Sequence, residues 1–87
     1  MKTLLQPGDK IKIREDIQDS IKYGMKTNDK KDIYIDGPMV KPGSIVTIKD
    51  IVHDTYRLEE EGLCNYTDEM FDPELIDYLY EEYLNNK

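Results

Sequence analysis

Apolar residues in this chain recur with two different periods, and the change of period divides it. After the turn signal Pro7-Gly8, the stretch Lys10-Ile11-Lys12-Ile13-Arg14 alternates polar and apolar, which places Ile11 and Ile13 on one face of a half-buried strand over residues 9–15. Lys41-Pro42-Gly43 is a second turn, and the β-branched run Ser44-Ile45-Val46-Thr47-Ile48, continuing to Ile51-Val52, predicts a strand over 44–52. His53-Asp54-Thr55 then reverses the chain into a strand over 55–60 with Tyr56 and Leu58 inward. Glu61-Gly62 reverses it again into a strand over 63–67, where Cys64 and Tyr66 share a face. Three strands joined by short turns form an antiparallel meander. With the first strand they predict a small, strongly curved barrel, because closure removes the exposed sheet edges of so short a chain. From Glu15 to Val40 the pattern is irregular, and only Ile33-Tyr34-Ile35 looks extended, so a long loop over 15–43 is expected.

Beyond Tyr66 the period lengthens. Thr67 followed by Asp68 and Glu69 signals a single helical turn ending near Met70-Phe71. Asp72-Pro73-Glu74 is a stronger start, with Asp72 as N-cap and Pro73 at the first helical position, and it opens a helix over 73–85. On that helix Leu75, Leu79 and Tyr83 form one row and Ile76, Tyr80 and Leu84 the next, so half the circumference is apolar. Asp77, Tyr78, Glu81 and Glu82 occupy the other half. An apolar half-face this wide must be covered, either by the chain's own barrel or by a twin helix in a homodimer.

Eighty-seven residues fit one domain with a modest core and no room for a deep substrate cleft. The lone Cys64 cannot form an intramolecular disulfide, and no apolar run suits a secretory signal or a bilayer span, so a cytosolic protein without membrane contact is expected. Charge changes the picture more. Residues 1–52 carry ten Lys/Arg against eight Asp/Glu, whereas residues 53–87 carry two against eleven, so the net −7 resides in the second part. An acidic surface of this kind repels nucleic acid and attracts basic partners, although carboxylates also serve simply to keep a small domain in solution.

Catalytic chemistry has little to work with. His53 sits at a hairpin tip and Cys64 on a core face, so neither is placed as a base or nucleophile, and no enzymatic activity is expected. Asp68, Glu69, Asp72 and Glu74 lack the spacing of a calcium loop, and helix capping explains them, so no metal or other cofactor is expected. Lys10, Lys12 and Arg14 with Lys22, Lys26, Lys30 and Lys31 form a weak phosphate-binding stripe. The eight acids of the same part and the acidic tail oppose a duplex, which makes direct nucleic-acid binding the weakest alternative.

The order of features resembles small proteins encoded by phages and prophages of Firmicutes, SH3-like barrels loosely related to the MIB/HERC2 domain. The resemblance spans roughly residues 8–72 and rests on Lys10 to Asp16, Tyr23-Gly24, Pro42-Gly43 leading into Ile45 to Ile48, Tyr56 to Glu60, and Tyr66 to Phe71. Similar sequences carry two tryptophans around one residue where this chain has Cys64, Asn65 and Tyr66, which speaks against an aromatic ligand pocket. The resemblance implies an SH3-like antiparallel barrel over 1–72 and a mobile-element origin, and the acidic amphipathic helix over 73–87 is an extension beyond the common pattern. The resemblance transfers no catalytic residue. Joined to the charge asymmetry, it leads to an expected role as a phage-derived inhibitor or adaptor on a host protein with a basic surface, such as a nuclease of CRISPR or restriction defence. The residues expected to meet that partner are Glu59, Glu60, Glu61, Asp68, Glu69, Asp72, Asp77, Tyr78, Glu81 and Glu82. A docking module of the virion is the alternative.

Overall fold

The computed structural model describes residues 3–18, 20–34, 40–60 and 64–86. It is mainly antiparallel β-structure with one C-terminal helix: β1 (Lys10–Lys12), β2 (Lys22–Met25), β3 (Asn28–Tyr34), β4 (Ile45–Val52), β5 (Thr55–Leu58), a 3-10 turn (Asp68–Met70) and α1 (Pro73–Asn85). One sheet has the order β1-β4-β5, and β2 and β3 form a second, two-stranded sheet.

The period-two segments set the first sheet. Ile11 lies opposite Val46 in the β1–β4 ladder, and Ile48 lies opposite Leu58 in β4–β5, so alternate residues of all three strands face one side. Those residues are buried, as are Ile13 and Tyr56, while Ile45 on the opposite face is 62% exposed. The outer edge of β5 continues to Tyr66, whose amide and carbonyl exchange 2.8 Å hydrogen bonds with Tyr56. The outer edge of β1 continues to Phe71, which pairs with Ile13, flanked by bonds from Arg14 N to Met70 O and from Asp72 N to Lys12 O. The two ends of this circuit, Tyr66 and Phe71, are joined by the 3-10 turn. The arrangement is consistent with an SH3-like barrel, but the expected closure is not reached: the strands stay in two sheets, and a turn, not a ladder, links Tyr66 to Phe71. Tyr56, Tyr66 and Phe71 meet in the centre, with Phe71 edge-on to Tyr56 and stacked on Tyr66.

Two further sequence expectations need correction. The stretch 15–43 is not a plain loop, because β2 and β3 form a hairpin within it, with Tyr23 opposite Ile33. Its register slips between Gly24 and Met25, where β3 carries extra residues, and that bulge hides the alternation the pairing otherwise imposes. The strand expected over 63–67 reduces to the single bridge at Tyr66; Glu61 to Leu63 lie outside the described residues.

The helix occupies the span its signals predict. The Asp72 side chain accepts from the Glu74 amide at 3.3 Å, Pro73 follows the cap, and Asn86 closes the far end on Glu82 O. Ile76 is 1% exposed and enters the core, with Leu79 packed against it. Only the seam between the two apolar rows is covered: Tyr80 and Tyr83 are half-buried and stack on each other, whereas Leu75 and Leu84 stand in solvent. No described helix is long and apolar enough to cross a membrane.

Candidate interaction surface

With Ile76, Leu79, Tyr80 and Tyr83 turned inward, the 3.6-residue period turns Glu74, Asp77, Tyr78, Glu81 and Glu82 outward, and all five are exposed. No basic residue lies in the last turn, so Glu81 and Glu82 stand at the negative end of the helix dipole without a compensating cation from the helix itself. Tyr78 is 59% exposed, and its hydroxyl donates to Glu82 Oε1 at 2.9 Å, which pushes the phenol up from its ordinary value. Glu59 and Glu60 are exposed at the end of β5. Glu60 accepts from the Thr47 amide at 2.9 Å, and that bond, helped by Lys10, holds its carboxyl below the usual range. The helix packs on the 3-10 turn, whereas Glu59 and Glu60 follow β5 of the first sheet. Glu61 lies outside the described residues.

Asp68 is the clear departure from the expected surface. It is fully buried and cannot present charge to a partner. Its Oδ1 accepts from the Tyr56 hydroxyl at 2.7 Å and its Oδ2 from the Lys26 amide at 3.1 Å. Burial pushes the carboxyl above its ordinary range, opposed by the bonds from Tyr56, Lys26 and Thr27. The Tyr56 oxygen in turn accepts from the Leu4 and Leu5 amides at 3.1 and 3.3 Å, and burial beside Asp68 pushes this phenol upward too. One buried carboxylate thus joins the N-terminal arm, β5, the 3-10 turn and the tip of the β2–β3 hairpin. Glu69 is half-buried, with its carbonyl accepting from Arg14 Nη1 at 2.9 Å, and Asp72 is consumed as the helix cap.

Arg14 and Lys26, expected only as members of a weak phosphate-binding stripe, instead organise this side of the molecule through carboxylates and tyrosine rings. Lys26 Nζ is 3.2 Å from Asp77 Oδ1 and 5.7 Å from the centre of the Tyr80 ring. Arg14 bonds both Asp16 oxygens, at 2.7 and 3.1 Å, and lies 5.4 Å from the centre of the Tyr23 ring. Together with Glu69, Pro73, Ile76 and Asp77 they line an open cleft of about 200 Å³. Its cations are already matched by carboxylates.

Comparison with known proteins matched no family model, no curated protein and no solved structure. Among the described residues no three His, Cys, Asp or Glu side chains converge in a way that could hold a metal ion. The chemistry this surface offers is recognition: outward carboxylates, an exposed tyrosine, and a helix too short of cations to neutralise itself.

Proposed function

We propose that this chain is a non-enzymatic binding protein that engages a basic surface on a nucleic-acid-handling host protein, as an inhibitor or adaptor. The observation that supports the reading is the outward face of α1, where Glu74, Glu81 and Glu82 surround Tyr78 with no described cation paired to them. Such a face suits Lys- and Arg-rich sites that otherwise hold phosphates, because unpaired carboxylates on a rigid element supply fixed negative charge at little ordering cost. The phage resemblance of residues 8–72 supports the choice of a host target. Removal of Asp68 from the surface leaves the helix as the main contact element and Glu59 and Glu60 as a separate, smaller one.

The test uses the full chain as bait in host lysate, followed by competition on the captured complex. The expected partner is released by salt and by duplex DNA or RNA, since exposed charge pairs are screened within about 3 Å at roughly 1 M salt. Glu74→Lys, Glu81→Lys and Glu82→Lys together abolish capture while circular dichroism and melting stay intact. Capture that ignores salt, nucleic acid and these reversals, or that returns only virion components, overturns the reading in favour of a docking module.

A further inference from the structure

The chain builds one arrangement twice and leaves a third copy incomplete. In the first copy Arg14 lies over the Tyr23 ring while its guanidinium is held by Asp16. In the second Lys26 lies over the Tyr80 ring while its ammonium is held by Asp77. Each copy is a cation shared between a tyrosine face and a carboxylate, an arrangement in which ring quadrupole and charge pair reinforce each other. Tyr78 and Glu82 supply the same ring and carboxylate one helical turn apart. Among the described residues no cation joins them.

We propose that Tyr78 and Glu82, with Glu74 one turn earlier, form a receptor for an arginine side chain supplied by the partner protein. The inference rests on the functional reading above and makes its anchor specific. The hydroxyl bond to Glu82 ties the exposed ring to the carboxylate before any ligand arrives, which lowers the ordering cost of binding. Oε1 of Glu82 accepts that bond, and an ionised carboxylate keeps acceptor capacity on its second oxygen for a further donor. A guanidinium satisfies both partners because it is planar, stacks on an aromatic face and presents parallel N–H donors; an ammonium is compact and strongly hydrated. Arginine is therefore preferred over lysine. Leu75, 37% exposed and three residues before Tyr78, offers apolar surface for the arginine stem.

The experiment titrates the isotopically labelled full chain with acetyl-Arg-Arg-Arg-amide and follows side-chain NMR signals, using the lysine and citrulline tripeptides as comparisons. The arginine peptide is expected to shift the Tyr78 ring and Glu82 carboxyl signals before those of Glu59 and Glu60, with weaker shifts from lysine and none from citrulline. Tyr78→Leu is expected to weaken arginine-peptide binding roughly three- to tenfold and to erase the arginine preference, the scale of one cation–aromatic contact. Glu82→Gln is expected to weaken it comparably, with the melting temperature unchanged in both variants. Equal shifts for arginine and lysine spread over all exposed acids overturn the proposal, as does full affinity in Tyr78→Leu. If Tyr78→Leu still captures the lysate partner while the triple charge reversal does not, the acidic-surface reading stands and the arginine receptor falls.

Discussion

At the tip of the β4–β5 hairpin, His53 and Asp54 both take positive φ, 52° and 66°, between Val52 and Thr55, which pair with each other. A two-residue link with both φ values positive is a type I′ turn, whose twist matches the flanking strands but which favours Asn and Gly. Histidine and aspartate tolerate the left-handed region at a cost, and nothing else in the hairpin requires them there. Replacing the pair by Asn-Gly is expected to raise stability by about 1 kcal/mol. Urea melting would show a higher midpoint at unchanged slope, and an unmoved midpoint would show that the turn is not strained. The sequence marks this reversal clearly, because the β-branched run breaks at His53 and resumes at Thr55; what it does not disclose is the strained choice of residues.

Helix α1 is held unevenly along its length. Ile76 carries most of the docking, since it is the helix's one fully buried side chain, while the flanking Leu75 is partly in solvent. Ile76→Ala is expected to cost about 2–5 kcal/mol by cavity formation. Leu75→Ala should stay within about 0.5 kcal/mol, the usual range for surface substitutions. Chemical denaturation of the two variants checks the contrast, and equal effects would mean that the helix is not docked through Ile76. The helix was legible because Asp72-Pro73 fixes its start and the two apolar rows fix its length. The β2–β3 hairpin was not, because Asn28 to Asp32 is an unbroken polar run and a bulge absorbs residues that alternation would need. Its strands owe their place to a contact far along the chain, where Met25 is buried against the 3-10 turn and its sulfur accepts from the Asp68 amide at 3.3 Å. No local pattern announces such a contact, and the same contact explains why Asp68 reads as a surface acid in sequence and sits in the core.

Across the whole molecule, that buried carboxylate ties together segments that the first sheet does not connect. Because burial raises its pKa, the folded chain holds the Asp68 proton more tightly than the unfolded chain does. Its contribution to stability is complete below the ordinary carboxylate value and is lost as pH rises through the folded one. The stability difference between the native chain and Asp68→Asn should therefore widen as pH falls from about 7 to about 4.5. Thermal melts across that range check it, and a constant difference would mean that Asp68 does not titrate there. Tyr56→Phe removes both the donor to Asp68 and the acceptor for the Leu4 and Leu5 amides, and should cost about 1–3 kcal/mol. The same geometry has an evolutionary consequence. The β2–β3 hairpin is anchored at its closed end, where Met25 is buried and the Lys26 amide meets Asp68, while Ile21 and Tyr34 at its open end stand in solvent. Hairpins usually present the turn outward and tolerate length variation there. In this lineage the two-residue turn Lys26-Thr27 is the part whose length selection must preserve, and insertions should accumulate instead beside Ser20, where the chain enters the hairpin.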